Sequence, residues 1–322
     1  MKILGIVNLV QVIIGVAGNI FLIYHYCFHF IIQNNPRRIN YILMQLAFAN
    51  AMFLLFRGIP TAMFFWGIKS FLNDAVCKIL TYPQRVFRGL SLCSTCLLSG
   101  FQAIAISPNS PKWAVLKVKS SKGIIPCCFF CWIINLFMDL AVSIYAIGPM
   151  NDTKTKERNK LDYCTLEPYA LNVLKLQLWK SFYDSVLVAL MVITSGYMVF
   201  LLYYHHKRVH HIHSTSLSPR ISPETRATKV ILLLVGTFFF FNFICSIITI
   251  YTNYSQVTGP WMFYVPLLLS MSFQTISPFV LVSSEKWAPW EFCCLLQEMK
   301  DSFVTPIPFQ IHKETQKQRF GE

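Results

Sequence analysis

Residues 227–252, ATKVILLLVGTFFFFNFICSIITIYT, decide the fold class, because this run carries a single charged side chain, Lys229. A helix of about 20 apolar residues crosses the hydrocarbon core of a bilayer. Six further segments of similar length and character occur along the 322 residues. We therefore predict seven transmembrane helices, at about 3–29, 40–66, 77–106, 124–148, 176–204, 227–252 and 261–283, within a membrane domain of residues 1–283.

The overall composition agrees with a membrane protein. Hydrophobic residues make up 55% of the chain and charged residues 13%, whereas a soluble domain carries about 25% charge. This deficit predicts that lipid covers much of the surface of an all-α bundle of seven transmembrane helices. The net charge of +14 lies in short segments between apolar runs, a placement that argues against a nucleic-acid partner.

The distribution of basic residues predicts the orientation in the membrane. With the N-terminus outside, the cytoplasmic loops hold eleven Lys and Arg residues and the extracellular segments eight, in the direction of the positive-inside rule. The C-terminus is then cytoplasmic, and residues 284–322 form a cytoplasmic tail. Asn151 and Asn253 begin N-glycosylation sequons, and both sequons fall in segments that this orientation places outside the cell.

Two of the eleven cysteines are predicted to face the oxidising side of the membrane. Cys77 begins the third span, and Cys164 lies in the loop between the fourth and fifth spans. We expect these two residues to form a disulfide. The other cysteines lack the spacing of a zinc site, so no metal is predicted.

Charged side chains inside predicted spans cost about 2.5–3.5 kcal/mol each on insertion scales, so their positions are informative. Six of them lie in the outer halves of their helices: Arg57, Arg85, Arg88, Asp139, Lys180 and Asp184. This clustering predicts a wet crevice that opens to the extracellular side. Alternatively, the charges pair, for instance Arg57 or Arg88 with Asp139, and only fix helix packing.

The candidate pocket residues are the charges nearest the expected crevice and the polar or aromatic side chains at the same depth. They are Tyr82, Gln84, Arg85, Arg88, Tyr183, Asp184, Tyr251 and Tyr264. The tyrosines have an alternative interpretation as part of the aromatic belt at the membrane interface.

No arrangement of residues indicates catalysis. Five of the eight histidines crowd residues 205–213, where they extend a basic helix. No glycine-rich nucleotide-binding motif such as G-x-x-x-x-G-K-S/T occurs. We therefore predict that the chain is not an enzyme and uses no cofactor.

Several strings of sequence resemble vomeronasal type-1 receptors, in the order found in that family. In helix two they are 46–50, LAFAN, and 57–60, RGIP; in helix three they are 85–89, RVFRG, 93–99, CSTCLLS, and 101–108, FQAIAISP. The third loop and the last two helices add 210–213, HHIH, 222–228, SPETRAT, and 277–281, SPFVL. The resemblance spans residues 18–283.

This resemblance implies a multi-pass, G-protein-coupled pheromone receptor of the plasma membrane that acts through an inhibitory-type heterotrimeric G protein. The pairing of Cys77 with Cys164 and a glycan at Asn151 also resemble family features. The acidic-Arg-Tyr ending of helix three in rhodopsin-like receptors is absent, and the family shows the same absence. The chain departs from the usual family pattern at Arg38, Asn40 and Gln274.

The sequence thus favours a chemosensory receptor whose small pheromone or odorant-like ligand enters between the outer ends of helices three, five, six and seven. Gln84 stands where aminergic receptors place an aspartate, which disfavours an amine, and Arg85 and Arg88 favour an anionic or acceptor-rich ligand. Candidate contacts to the G protein are Lys207, Arg208, Arg226 and Lys229. The alternatives are a bitter-taste-type receptor and a secondary transporter, although no repeat between halves supports the latter.

Overall fold

The computed structural model describes residues 2–32, 38–68, 73–108, 110–147, 164–166, 171–212, 223–254 and 260–283. The helices are α1 (Lys2–Ile32), α2 (Ile39–Phe65), α3 (Asp74–Ile106), α4 (Pro111–Ser143), α5 (Leu171–Ile212), α6 (Pro223–Tyr254), α7 (Pro260–Leu269) and α8 (Ser272–Val282). Two short strands, β1 (Ala146–Ile147) and β2 (Thr165–Leu166), pair antiparallel between α4 and α5.

Seven of the described segments are long and apolar enough to cross a membrane, and α7 and α8 together supply the seventh. This confirms the predicted fold class. The predicted site at Asn151 and the tail at 284–322 lie outside the described residues, as does the side chain of Asn253 in the last turn of α6.

Helix α3 lies at the centre of the bundle and is the most buried of the seven spans. It begins where the side chain of Asn73 accepts a hydrogen bond from the backbone N–H of Val76 at 2.8 Å, which caps the first turn. The helix ends just before Ser107, which has an extended backbone. Pro108 follows, and a proline disfavours the helical conformation of the residue before it.

A disulfide joins Cys77, in the first turn of α3, to Cys164, immediately before β2, with 5.5 Å between the two Cα atoms. We call this end of the bundle the disulfide end. The bond ties the segment between α4 and α5 to the central helix. The strand pair adjoining it was not predicted from the sequence, because two residues per strand are too few to show an alternating pattern.

Helix α4 begins at Pro111, thirteen residues before the predicted apolar span at 124–148. Proline is favoured at the first helical position, where its missing N–H removes no hydrogen bond. The added turns carry four lysines among apolar residues, and Lys117 Nζ donates to the carbonyl oxygen of Ser107 at 2.8 Å. A side chain of α4 therefore caps the end of α3.

The seventh span is interrupted between α7 and α8, at the turn residues Ser270 and Met271. The backbone N–H of Met271 donates to the carbonyl of Leu268, three residues earlier, at 3.2 Å. Such an interruption is tolerated at membrane depth where the backbone is buried in protein or lines a cavity.

Pro278 creates a second irregularity inside α8, because proline lacks the N–H that would donate to the carbonyl four residues earlier. That carbonyl belongs to Gln274, and it accepts a hydrogen bond from Asn19 Nδ2 at 2.9 Å. Asn19 is fully buried and also donates to the carbonyl of Gly15. A side chain of α1 thus occupies the place of the missing backbone donor.

Buried amides and hydroxyls connect the helices near the middle of the bundle. Asn50 on α2 accepts from Ser91 Oγ on α3 at 2.6 Å and donates to Ser277 Oγ on α8 at 2.8 Å. Gln45 Nε2 donates to Ser94 Oγ at 3.1 Å. These bonds hold α2, α3 and the seventh span together below the disulfide end.

Candidate functional site

A cavity of about 640 Å³ opens among α2, α3, α4, α5, α6 and the seventh span near the disulfide end. Cys164 of the disulfide forms part of its wall. All six charged side chains expected in the outer halves of the spans line this cavity: Arg57, Arg85, Arg88, Asp139, Lys180 and Asp184. Six phenylalanines also line it, namely Phe53, Phe238, Phe239, Phe241, Phe243 and Phe273.

Asp139 is the fully buried centre of the charged cluster. Its Oδ1 lies 3.3 Å from Arg85 Nε, and its Oδ2 lies 3.2 Å from Lys180 Nζ. The buried charges thus do pair, as the alternative interpretation had it, but Asp139 pairs with Arg85 and Lys180 and not with Arg57 or Arg88, its example. The pairing joins α3, α4 and α5 and compensates the cost of burying a carboxylate.

Lys180 Nζ makes a dense set of contacts. It donates to Asn135 Oδ1 at 2.9 Å and lies 3.7 Å from Asp184 Oδ1, in addition to its bond with Asp139. Asn135 is itself fixed, because its Nδ2 donates to the carbonyl of Cys131 at 2.8 Å. Lys180 therefore lines the cavity with its ammonium group already held by three protein side chains.

Gly89 makes this arrangement possible. A Cβ at position 89 would overlap Asn135 Oδ1 and would lie 3.0 Å from Lys180 Nζ. Because Asn135 is held by its bond to α4, it has little freedom to withdraw. A glycine on α3 is therefore required for the amide of α4 and the ammonium of α5 to meet.

The two arginines on α3 differ in their hydrogen bonds and charged neighbours. Arg85 bonds Asp139 and also donates from its Nη2 to Gln177 Oε1 at 3.2 Å. Arg88 lies one turn deeper, is exposed within the cavity, and has Asp184 as its charged neighbour. Arg88 is thus the α3 cation that faces the open volume.

The structure places the candidate pocket residues in different surroundings. Gln84, Arg85, Arg88 and Asp184 lie on the cavity wall. Three of the tyrosines lie elsewhere: Tyr82 donates to the carbonyl of Leu136, Tyr183 lies within hydrogen-bonding distance of Cys93 Sγ, and Tyr251 is 59% exposed. The side chain of Tyr264 lies outside the described residues.

Several wall residues were not among the candidates. For Arg57, Asp139 and Lys180, the only feature of the sequence that indicated a place in the cavity wall was a charge inside a predicted span. The phenylalanines of α6 gave no such indication, since residues 238–241 are four phenylalanines in succession and lack the helical period that would show which face is inward.

The opposite end of the bundle holds the basic residues expected to contact a G protein. Lys207 and Lys229 are exposed, and Arg226 donates to the carbonyl of Ser283 at 3.3 Å. The side chain of Arg208 lies outside the described residues. Nearby, Gln102 Nε2 on α3 donates to Thr228 Oγ1 on α6 at 3.1 Å.

Comparison with known proteins identifies the relatives of this chain. Residues 3–290 match the family model described as the vomeronasal organ pheromone receptor family. Vomeronasal type-1 receptor 1 of human is 37% identical over 300 residues, which cover 93% of this chain and 84% of that protein. Human vomeronasal type-1 receptor 3 is 35% identical over 299 residues, which cover 90% and 94%.

A solved structure shares the fold. The chain resembles squid rhodopsin with a TM-score of 0.67, over 95% of this chain and 91% of that one, at 15% sequence identity. The helix bundle and the family match agree with each other and displace the bitter-taste and transporter alternatives. The chain therefore belongs to the vomeronasal organ pheromone receptor family, and it is a multi-pass plasma-membrane chemosensory receptor of the G-protein-coupled class and not an enzyme.

Proposed function

We propose that this receptor binds a small anionic pheromone in the cavity at the disulfide end and signals through an inhibitory-type G protein at the opposite end. The observation that carries the proposal is the charge of the cavity wall, which combines four cationic side chains with two carboxylates. The name of the matched family supports a pheromone as the ligand.

The ion pairs indicate which cation meets the ligand. Lys180 and Arg85 are engaged by Asp139, whereas Arg88 faces the cavity beside Asp184, which is 35% exposed. A carboxylate, sulfate or phosphate group bound by Arg88 forms a charge-assisted hydrogen bond, which is stronger than a neutral one. The acid of the ligand would also balance the excess positive charge of the wall.

Replacing Arg88 tests this role. The probes are hydrophobic carboxylates and sulfonates and their neutral ester or amide counterparts, and the measurement is the ligand-induced rise in melting temperature of purified receptor in nanodiscs. The acids should stabilise the unaltered receptor more than the neutral compounds do. Arg88→Gln should weaken apparent acid affinity by about tenfold or more, the equivalent of one charged hydrogen bond.

Arg38→Gln is the matched control, because Arg38 is exposed at the other end and donates to the carbonyl of Ser121. It should leave acid binding unchanged. The proposal fails if acids and neutral compounds stabilise the receptor equally, or if Arg88→Gln binds the acids as tightly as the unaltered protein.

The orientation of the chain belongs to the same proposal. An extracellular N-terminus would place the cavity mouth and the disulfide outside, where thiols are oxidised. Asn151 would then carry a glycan. Digestion with a glycosidase should reduce the apparent mass of the receptor, and Asn151→Gln together with Asn253→Gln should remove that shift. An N-terminal tag accessible only after permeabilisation would contradict this orientation.

Ligand binding would change activity by favouring one of two arrangements of the helices. Lys207, Arg208, Arg226 and Lys229 lie on α5 and α6 at the end away from the cavity, where a G protein would bind. Alanine at all four positions should abolish activation of an inhibitory-type G protein at normal surface expression. Activation that persists at the original level would refute their role.

A further inference from the structure

The cavity has two zones along the helix axes. On α2, Phe53 lies one turn deeper than Arg57; on α3, Leu92 lies one turn deeper than Arg88. On α5, Val188 likewise follows Asp184 by one turn, so three helices change from charged to apolar over about 6 Å. The zone near the disulfide end is therefore charged, and the zone near the bundle centre, which we call the floor, is apolar.

Gln274 is a polar exception on this floor. It lines the cavity on α8, beside Phe273, whose ring meets that of Phe238 at 5.1 Å between centroids. The side chain is 5% exposed, and its Oε1 accepts no hydrogen bond from any residue that the structure describes. A buried amide oxygen without a donor costs free energy comparable to one hydrogen bond.

The rest of Gln274 is firmly held. Its carbonyl oxygen accepts from Asn19 Nδ2, and one turn further along α8 Ser277 is bonded to Asn50. The backbone therefore fixes the amide at the edge of the open volume. A ligand that supplies a hydrogen-bonding group at this point would remove the free-energy cost of the unsatisfied amide.

We infer that Gln274 is a specificity-determining residue, which binds a hydroxyl group at the apolar end of a ligand whose acidic group lies near Arg88. A hydroxyl both donates and accepts, so it pairs with the amide whichever of the two amide atoms faces it. The ligand class is thus an apolar body with an acid at one end and a hydroxyl at the other. This inference rests on the proposed function of the cavity.

The test compares matched acids that differ only in a hydroxyl at the end remote from the acid group. Binding is measured as thermal stabilisation of the full-length receptor in nanodiscs. The hydroxylated acid should bind the unaltered receptor about tenfold more tightly than its deoxy partner, as one satisfied buried amide predicts. In Gln274→Leu, and in Gln274→Asn, whose amide is withdrawn by one methylene, that ratio should fall to about one.

A measurement without ligand provides a second criterion. Gln274→Leu should raise the melting temperature of the empty receptor, because an unsatisfied buried amide is replaced by an apolar side chain of similar size. Gln102→Leu is the matched control: it removes a buried amide that does donate, to Thr228, and should lower the melting temperature while leaving the hydroxyl ratio unchanged.

The outcomes separate this inference from the proposed function. Hydroxylated acids that bind no more tightly than their deoxy partners overturn the role of Gln274, and so does a hydroxyl ratio that survives Gln274→Leu. A lower melting temperature of Gln274→Leu also overturns it, since the amide would then have a structural bond. If acid binding is still weakened by Arg88→Gln in those cases, the proposed function stands without the role of Gln274. If Arg88→Gln leaves acid binding unchanged, the proposed function and the role of Gln274 are both refuted.

Discussion

At the scale of single residues, the contribution of each charged side chain to the stability of the site depends on its burial as well as on its charge. Asp139 and Asp184 are both carboxylates beside Lys180, yet the first is fully buried and the second is 35% exposed. A buried ion pair that loses one partner leaves an uncompensated charge, while an exposed pair contributes little. The two aspartates therefore form a natural comparison.

Asp139→Asn should destabilise the receptor strongly, by about 3 kcal/mol or more, because Arg85 loses the carboxylate it is paired with and Lys180 loses the closer of its two carboxylate neighbours. Asp184→Asn should cost about 1 kcal/mol or less. Thermal unfolding of the two variants in nanodiscs measures the difference. Equal losses of stability would show that Asp139 does not hold α3, α4 and α5 together.

The sequence revealed which residues were unusual but not which of them meet. Charges inside apolar runs are conspicuous, and the six expected in the outer halves of the spans all proved to line one cavity. Their pairing depends on the rotation of each helix about its axis, which hydropathy does not encode. For the same reason Tyr183, expected at the pocket, packs instead against Cys93, and Gln274 was noted only as a departure from a family pattern.

At the scale of elements, proline shapes the seventh span because it leaves the backbone carbonyl four residues earlier without its helical donor. Pro278 removes a backbone donor, and Asn19 supplies a side-chain donor to the carbonyl of Gln274 at 2.9 Å. The prolines were visible in the sequence, so irregularity of this span was predictable. The compensating residue was not, because it lies 255 positions away in the chain.

This compensation predicts a non-additive pair of substitutions. Asn19→Leu should cost about 1–3 kcal/mol, because the buried Gln274 carbonyl loses its closer donor and keeps only Ser277 Oγ, at 3.4 Å. In a Pro278→Ala background residue 278 regains its N–H, so Asn19→Leu should cost markedly less. A double-mutant cycle on melting temperature measures this coupling, and simple additivity of the two changes would contradict it.

At the scale of the whole molecule, hydropathy was sufficient to predict seven spans, because lipid forces backbone groups to be satisfied within helices. The ends of helices and the short strands outside the membrane were harder to predict from hydropathy. Helix α4 extends by turns in which four lysines interrupt the apolar pattern, and the strand pair between α4 and α5 adjoins the disulfide. Both features arise from contacts between distant segments.

Loss of the disulfide should accordingly destabilise the receptor more than replacement of a free cysteine does. Cys77 and Cys164 are separated by 87 positions, and removing a native disulfide typically costs about 2–5 kcal/mol. Replacing both by serine should lower the melting temperature and weaken ligand binding, since Cys164 forms part of the cavity wall. Cys127→Ser, at a half-buried free cysteine, should change neither; an unaltered double variant would show that the bond is dispensable.

The bond from Lys117 to the carbonyl of Ser107, the residue that follows α3, has a practical consequence for measurements of conformational change in this receptor. With α3 and α4 fastened together at that end, a spectroscopic label on the first turns of α4 provides a stationary reference point. A second label on α5 or α6 would then report displacement of those helices alone, so a change in the separation of the two labels would be attributable to a single moving partner.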